Sequence, residues 1–244
     1  MKDVFFSIII PTLNEEKILP RLLKDIDEQQ FTDFEVFITD GGSSDRTQNI
    51  VKTHKSVYSL KFLKANLNVG GSRNFGAKRA SGDYLVFLDA DTQISPDFLT
   101  KLKSQLEITR ADFATTYGQP DTGNIFDLIV AWVTNLLMRL LIKFGKPFMG
   151  GQCLIMRRSV FHNLGGFDES VVHAEDHELV QRAQRRGFRG RFFKSPRHLI
   201  SFRRFEREGR FKIFLMWTVS SLYVFFRGPI RKPLFEYKMG GKVE

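Results

Sequence analysis

The sequence predicts an α/β protein with a mostly parallel sheet and flanking helices. Short apolar runs alternate with segments of helical periodicity along the first half, and polar or glycine residues close each run. Strands separated by helix-length segments imply βαβ units. The 244 residues are 42% hydrophobic and 26% charged, a globular composition that argues against disordered, collagen-like and polytopic membrane classes.

The first apolar run, Val4–Ile10, ends at Pro11 and has the Ile, Phe and Val content of a buried strand. It follows Asp3 and precedes no small-residue cleavage site, so we do not expect a targeting signal. Ser95 and Pro96 suit the cap and first turn of a helix. The predicted elements are strand 4–10, helix 15–29, strand 34–39, helix 46–54, strand 58–63, helix 71–80, strand 83–88 and helix 96–108.

The second half is less regular. Two apolar stretches, Ile125–Phe144 and Ile213–Phe226, bracket a predicted strand at 152–157 and a helix at 175–187. Both mix Leu, Phe and Trp with basic residues, as segments at a membrane interface do, although core helices are the alternative. The second stretch has 14 residues, fewer than the 17–25 that usually cross a bilayer, so we expect attachment in the membrane plane.

The net charge of +10 indicates an anionic partner. Residues 1–138 carry −3 and residues 139–244 carry +13, so the whole excess lies in the second half. Nucleic acid, an anionic membrane surface and a phosphorylated substrate all fit this charge. The single cysteine, Cys153, excludes an internal disulfide and fits a reducing compartment.

Carboxylates follow two of the predicted strands, at the sheet edge where parallel α/β folds bind ligands. Asp89 and Asp91 come directly after the strand at 83–88. A divalent cation would relieve their repulsion, and oxygen ligands suit Mg²⁺ or Mn²⁺; a solvated turn is the alternative. Asp40 is predicted to accept a hydrogen bond from a nucleobase, whereas Asp45 is expected to cap the following helix.

The segment from Gly70 to Gly76 is similar to a phosphate-binding loop at a helix start. It lacks the Gly-Lys-Ser/Thr ending of a P-loop. Within it, Arg73 is predicted to contact a diphosphate or to brace Asp91, with a plain surface arginine as the alternative.

Glu175 and Asp176 open the predicted helix at 175–187. The helix dipole alone accounts for one of these carboxylates, and a general base that takes a proton from an acceptor hydroxyl accounts for the other. His173 and His177 either tune this pair or are ordinary surface residues.

A basic cluster, Arg203, Arg204 and Arg207, precedes the last apolar stretch. It is either a solvated face or a group of cations that neutralises a leaving diphosphate or a lipid phosphate.

Together these segments resemble the family 2 nucleotide-sugar glycosyltransferases, which have the GT-A fold. Any one of the motifs is common, but their order and spacing are specific. The matching segments are Ile8–Glu16, Thr39–Thr47, Arg73–Asp91, Gly150–Gly151, Gly165–Asp168 and Glu175–Asp176. One departure is Gly41, where the family often has a second Asp, which bears on base and ribose specificity.

The resemblance implies roles for individual residues. Asp91 would ligate Mg²⁺ or Mn²⁺, and Asp176 would be the catalytic base of an inverting transfer. The donor nucleotide would be bound by Pro11, Thr12, Glu15, Asp40, Arg73, Asp89 and Ala90. The diphosphate or the acceptor would be contacted by Gly151, Glu175, Arg203 and Arg204.

The resemblance also implies a domain plan and partners. A GT-A catalytic domain would occupy residues 1–205, with a donor half at 1–118 and an acceptor half at 119–205, and residues 206–244 would form an interfacial helix with a basic tail. The partners would be a nucleoside-diphosphate sugar and a glycan or lipid-phosphate acceptor at the cytoplasmic face of a membrane, without nucleic acid.

Three other classes compete with this interpretation. A nucleic-acid-binding module fits the charge but lacks a recognisable reading motif. A nucleotidyltransferase would have a glycine-rich basic loop where Thr12–Glu15 stands. A noncatalytic sugar-nucleotide-binding or scaffold protein of the same fold is the remaining alternative.

Overall fold

The computed structural model describes residues 4–232 and 234, and within them one eight-stranded sheet is flanked by helices. The predicted basic tail at positions 233 and 235–244 lies outside the described residues. The strands are β1 (Phe6–Thr12), β2 (Phe34–Asp40), β3 (Ser59–Lys64), β4 (Tyr84–Leu88), β5 (Gln93–Ile94), β6 (Phe113–Pro120), β7 (Cys153–Arg157) and β8 (Gly190–Ile200). The helices are α1 (Leu19–Asp27), α2 (Thr47–Thr53), α3 (Val69–Ala77), α4 (Phe98–Thr109), α5 (Ile125–Lys143), α6 (Arg158–Leu164), α7 (Glu175–Arg185), α8 (Arg203–Glu208) and α9 (Arg210–Arg227).

The strand order is β3-β2-β1-β4-β7-β6-β8-β5. Strands β1 to β4 are parallel to one another, as is the pair β6 and β8, whereas β7 runs antiparallel to both of its neighbours and β5 antiparallel to β8. The mostly parallel α/β prediction is therefore confirmed. Register places Thr12 beside Asp40 and Leu88 beside Cys153, so the segments that follow β1, β2 and β4 reach one edge of the sheet together with the segment before β7.

The sheet is covered on both faces, which explains the continuous apolar runs of its central strands. On one face, Ile8 and Val86 pack with the apolar side of α1, and on the other, Ile9 and Phe87 pack with α6 and α7. β1 is buried apart from Pro11 and β4 is buried throughout. This two-sided core fixes the sheet edge that carries the polar residues.

The structure corrects two predictions of local structure. Helix α4 begins after Asp97, to which the Ser95 hydroxyl donates at 2.6 Å, so Ser95 is not the cap residue. The Gly70-Gly71 segment is not a free phosphate cradle, because it lies inside α3 and the side chain of Asn68 already accepts from the Gly71 amide at 2.8 Å. Asp45 accepts from the Thr47 amide at 2.9 Å, which confirms the expected Asx turn before α2, but the N-cap residue of α2 is Arg46 and not Asp45.

Helix α5 packs lengthwise on β6 and β8 through polar as well as apolar residues. Asp127 is fully buried and pairs with Arg210 of α9 at 3.1 Å. Asn135 exchanges two hydrogen bonds with the backbone of Gly118 in β6, at 3.0 and 2.7 Å. In the described part of the chain, α5 is the helix whose length and composition would allow it to cross a membrane.

Candidate active site

A cavity of about 860 Å³ opens at the carboxyl ends of the parallel strands. The beginnings of α7 and α8 close one side of it, and α5 and α9 close another. Its wall includes every sequence-predicted site residue except Asp40. These are Pro11, Thr12, Glu15, Arg73, Asp89, Ala90, Asp91, Gly151, Glu175, Asp176, Arg203 and Arg204.

Arg73 forms the centre of the polar end of the cavity. Its guanidinium is 2% exposed and donates to Asp89 at 2.8 Å, to Glu175 at 2.6 Å and to the Gly151 carbonyl at 3.2 Å. Burial alone would lower the pKa of Arg73, but Asp89 and Glu175 together raise it. Arg73 therefore stays charged and ties β4, the segment before β7 and α7 to one another. Arg73 braces Asp89. One of the sequence predictions was that it braces Asp91, and that prediction is wrong.

Asp91 is held by a second arginine. Arg203 lies 3.3 Å from Asp91 and 3.0 Å from Glu15, so it bridges the segments that follow β4 and β1. Burial and the neighbouring Asp89 raise the pKa of Asp91 to about 6 despite this arginine. Burial also raises the pKa of Glu15, an effect that Arg203 opposes. Ionising either carboxylate in this buried site is therefore unfavourable, and an additional cation would reduce that free-energy cost.

Asp176 opens α7 and lines the same cavity at 6% exposure. Burial raises its pKa to about 6, against the influence of Arg73. The residue before the helix, Ala174, has φ +61°, a left-handed conformation that is uncommon outside glycine. A carboxylate whose pKa lies near neutrality is suited to accept a proton in a reaction.

Gly151 allows Arg73 and Asp176 to come together over its α-carbon. A β-carbon there would lie 2.9 Å from an Arg73 nitrogen and 3.2 Å from an Asp176 oxygen. The Arg73 side chain is buried and ion-paired, so it cannot move aside without loss. The absence of a side chain at position 151 is therefore required by the polar end of the cavity.

We expect Gly151→Ala to lower kcat at least tenfold, because the added methyl group displaces Arg73 and Asp176 from their positions. Steady-state kinetics would measure this, with Gly123→Ala as the control, since a β-carbon at position 123 contacts nothing within 4 Å. Equal activity of the two variants would contradict the packing role of Gly151.

Asp40 lies away from the cavity wall, unlike the other predicted site residues. Its carboxylate is 2% exposed and accepts from Thr12, from the amides of Gly42 and Ser43 and from the Ser43 hydroxyl, at 3.1, 3.1, 2.8 and 2.5 Å. Four internal donors satisfy the carboxylate, and Asp40 does not line the cavity. In this structure Asp40 shapes the loop after β2 and offers no free acceptor for a nucleobase.

His177 is a buried residue, contrary to the expectation that it is an ordinary surface histidine. It is 8% exposed, and its ring lies 4.0 Å from that of Phe148. Burial lowers its pKa to about 4, so it is neutral at physiological pH and does not tune the neighbouring carboxylates by carrying charge. Its Nδ1 atom has no hydrogen-bond partner among the described residues.

The Gly165-to-Asp168 motif positions α3 and with it Arg73. Asn74 of α3 accepts from the Phe167 amide at 2.8 Å and donates to the Phe167 carbonyl at 2.9 Å. Gly166 has φ +77°, and a β-carbon on it would lie 2.5 Å from the Asn74 side chain. The glycine is thus required by a close approach between this loop and α3.

The sequence did not identify the apolar part of the cavity wall. Apolar residues of α5 and α9 line the cavity, among them Val133 and Trp217. Both stretches were identified as apolar, but the helical spacing alone does not show which positions turn toward a site. The contact between Glu15 and Arg203, 188 positions apart, has no local signal in the sequence either.

The carboxylates fit a magnesium or manganese site of the kind completed by a substrate. Among the described residues no group of three or more His, Cys, Asp or Glu side chains could by itself hold a metal ion. Mg²⁺ typically takes one or two carboxylates and shares them with substrate phosphates. Asp89 and Asp91, at 34% and 25% side-chain exposure on the cavity wall, supply that number.

The sequence of the chain matches known glycosyltransferases. It is 37% identical over 188 residues to the poly(ribitol-phosphate) beta-N-acetylglucosaminyltransferase TarS of Staphylococcus aureus, covering 73% of this chain and 32% of TarS. It is 36% identical over 100 residues to a GalNAc(5)-diNAcBac-PP-undecaprenol beta-1,3-glucosyltransferase of Campylobacter jejuni, covering 39% of this chain and 32% of that protein. The chain thus spans about a third of the length of each relative.

The fold of the chain also matches solved structures of glycosyltransferases. The crystal structure of TarS residues 1–349 with UDP-GlcNAc superposes with a TM-score of 0.66 at 22% identity, covering 81% of this chain and 58% of that one. The mannosyltransferase PcManGT of Pyrobaculum calidifontis, in complex with GDP-Man and Mn²⁺, gives 0.66 at 20% identity, covering 82% and 57%. The family model described as Glycosyl transferase family 2 matches residues 7–165. The chain is therefore a member of glycosyltransferase family 2 and has the GT-A fold.

Proposed function

We propose that the protein transfers a sugar from a nucleoside-diphosphate sugar to an acceptor with inversion of the anomeric configuration. The observation that carries this proposal is the convergence of Asp89, Asp91 and Asp176 on one cavity, with Arg73 between them. Relatives of this fold have been crystallised with UDP-GlcNAc and with GDP-Man, so uridine and guanosine diphosphate sugars are the first donors to test.

The donor would lie along the polar end of the cavity. Pro11, Thr12, Glu15 and Ala90 form the wall at the ends of β1 and β4. Arg203 spans this wall through its pairs with Glu15 and Asp91. A diphosphate entering the cavity offers oxygens that match the guanidinium fork, so we infer that Arg203 contacts the leaving group.

In the transfer, Asp176 would accept the proton of the acceptor hydroxyl as that oxygen forms its bond to the anomeric carbon. The bond between the anomeric carbon and the diphosphate oxygen breaks in the same step, and the nucleoside diphosphate departs. Attack from the face opposite the leaving group inverts the configuration. If the nucleophile is a phosphate, it is already ionised at pH 7, and Asp176 then orients it.

Asp91, with Asp89, would hold Mg²⁺ or Mn²⁺, as the GT-A neighbour with GDP-Man and Mn²⁺ suggests. Such an ion stabilises negative charge on the departing diphosphate. The residues that position Asp91 and Asp89 are Arg203 and Arg73.

We expect Asp91→Ala to abolish the dependence of turnover on Mn²⁺ and to weaken nucleoside-diphosphate binding at least tenfold. The cause is the loss of the carboxylate shared between cation and phosphate. Calorimetric titration with UDP and GDP, with and without Mn²⁺, measures it. Asp97→Ala, at a 34% exposed side chain before α4, is the control. Unchanged metal-dependent turnover of the Asp91 variant would refute the assignment.

We also propose that the protein attaches to the cytoplasmic face of a membrane. Support comes from an outer stripe of exposed apolar side chains on α5 and α9 that does not line the cavity. The outer stripe consists of Leu128, Trp132, Leu136, Leu140, Phe211, Leu215 and Val219. The buried residues of α5 are held within the protein, Asn135 by β6 and Asp127 by Arg210 of α9, which favours a helix lying in the membrane plane.

We expect the protein to sediment with vesicles containing anionic phospholipid at low salt. Replacing Trp132→Glu should release it, because a charge in the outer stripe opposes burial among acyl chains. Val57→Glu, on a 95% exposed apolar residue distant from the stripe in sequence, is the control. Sedimentation of both variants to the same extent would contradict the membrane proposal.

A further inference from the structure

The active-site cavity extends beyond its charged groups into an apolar cleft between α5 and α9. The cleft is defined by Ile129, Val133, Leu137, Phe214, Trp217 and Leu222. It is continuous with the polar end that contains Asp176, because all of these residues line the same cavity. A ligand in the cleft would therefore share one open cavity with the proposed reaction centre.

The cleft is distinct from the outer stripe, although both are formed by the same two helices. Leu136 belongs to the outer stripe and does not line the cavity, whereas its neighbour Leu137 does. On α9, Phe214 lines the cavity and Leu215 does not. The two helices thus present one exposed apolar row away from the cavity and a second row that lines the open cavity and is itself partly exposed, with Leu137 at 47% and Phe214 at 38%.

Charged and hydrogen-bonding groups line the same cavity as the apolar cleft. Arg204 and Arg207 of α8 line the cavity directly before α9 begins. Three buried polar atoms on the cavity wall lack a hydrogen-bond partner within the described residues: Arg73 Nε, His177 Nδ1 and Ser220 Oγ. Buried polar groups normally have partners, so these atoms are candidates for contact with a ligand or with water.

We propose that the cleft binds the hydrocarbon chain of a lipid phosphate that serves as the acceptor, with its phosphate near Arg204 and Arg207. This inference rests on the proposed transferase function and specifies its acceptor. A cavity that joins an apolar cleft to the arginines of α8 fits an amphiphile with an anionic head. A hydrophilic polymer would leave the apolar cleft without a complementary partner. A polyprenyl phosphate and a polyprenyl diphosphate sugar share the required chemistry.

Binding can be measured without turnover. The sequence has two tryptophans, so Trp132→Phe leaves Trp217, which lines the cleft, as the single fluorophore. We expect farnesyl phosphate to change its fluorescence and to bind at least tenfold more tightly than geranyl phosphate, because the longer chain buries more apolar surface. Inorganic phosphate should leave the emission unchanged.

Substitutions at neighbouring positions of the Trp132→Phe protein provide matched variants. Leu137→Glu should weaken farnesyl phosphate binding at least tenfold, whereas Leu136→Glu should leave it within twofold. The pair Phe214→Glu and Leu215→Glu repeats the comparison on α9 if the first pair does not fold by circular dichroism. Equal affinities within the pairs, or no preference for the longer chain, would overturn the inference.

Transfer assays then separate the sources of the lipid phosphate. Product from polyprenyl phosphate identifies the phosphate itself as the nucleophile, and product from a polyprenyl diphosphate sugar identifies a sugar hydroxyl. Product from a ribitol-phosphate polymer alone would overturn the inference. Donor hydrolysis by water requires no acceptor. If hydrolysis occurs without farnesyl phosphate binding, only the cleft assignment fails. If farnesyl phosphate binds but UDP and GDP sugars give neither hydrolysis nor transfer to any of these acceptors, the proposed function fails.

Discussion

Replacing Asp176→Asn should lower transfer to a hydroxyl acceptor by about 10²–10⁴-fold while donor binding persists. The amide keeps the shape of the side chain but cannot take the acceptor proton. Asp176 accepts a hydrogen bond from the His177 amide at 2.9 Å, and among the described residues no hydrogen bond joins it to a donor-binding residue. Steady-state kinetics and calorimetric titration with the nucleoside diphosphate measure the two effects separately.

The pH dependence of the wild-type enzyme provides the companion measurement. Burial raises the pKa of both Asp176 and Asp91 to about 6, so kcat/KM should fall at least tenfold per pH unit below about 6, where the base is protonated. Asp97→Asn should reproduce the wild-type profile. Loss of donor binding in the Asp176 variant would contradict its role as a base that acts on the acceptor.

The same raised pKa affects stability. Because the folded state binds the Asp176 proton more tightly than the unfolded state, the ionised carboxylate destabilises the fold above pH 6, and this cost disappears as pH falls below the unfolded pKa near 4. Asp176→Asn should therefore gain on the order of 2–3 kcal/mol at pH 7.5, and less at pH 5. Ionised Asp176 would then lower the stability of the fold while it supplies the base for the reaction, a compromise that is common in active sites.

Replacing Arg73→Met should lower the free energy of unfolding by about 3–5 kcal/mol, since it leaves Asp89 and Glu175 without their buried partner. Urea denaturation measures this loss. Arg79→Met, just after α3, is the control, because Arg79 is exposed and packs on the ring and carbonyl of Phe75; its effect should stay within about 1 kcal/mol.

A double variant isolates the electrostatic part of that loss. Arg73→Met combined with Glu175→Gln removes one of the unpaired carboxylates and should recover part of the stability. If the double variant is as unstable as the sum of the single variants, the loss comes from packing and the ion-pair account of Arg73 is wrong. Activity should be lost in both variants, because Asp89 loses its brace.

The half of the fold that rests on local signals could be predicted from the sequence. β1, β2 and β4 are rich in apolar residues because both faces of the sheet are covered, and the end of β4 therefore marked Asp89 and Asp91 as site residues. The strands β6 and β8 were missed because Thr-rich and basic residues interrupt their apolar pattern. Their pairing depends on contacts between residues far apart in the chain.

The candidate site shows the same division. Asp176 and Gly151 carried recognisable motifs, and the structure places both on the cavity wall. The partners of each charge could not be predicted, because they depend on tertiary contacts. Arg73 pairs with Asp89 and Glu175, Arg203 bridges Glu15 and Asp91, and Asp40 is satisfied by its own loop.

The charge of the second half acquires a more specific meaning from the structure. The excess of +13 in residues 139–244 includes Arg203, Arg204 and Arg207, which line the cavity beside an apolar cleft. Within the described residues these cations of α8 line a substrate-sized space. The outer stripe of exposed apolar residues lies on α5 and α9. We infer that the charge serves an anionic acceptor as well as an anionic surface.

The most direct test of the central claim is the anomeric configuration of the sugar released when the wild-type enzyme hydrolyses an α-linked nucleoside-diphosphate sugar in the presence of Mn²⁺. Proton NMR recorded before mutarotation reports the first product, and water replaces the unidentified acceptor. Single displacement with Asp176 as base predicts the β-anomer and its loss in Asp176→Asn. Initial release of the α-anomer, or undiminished hydrolysis by the Asp176 variant, would contradict it.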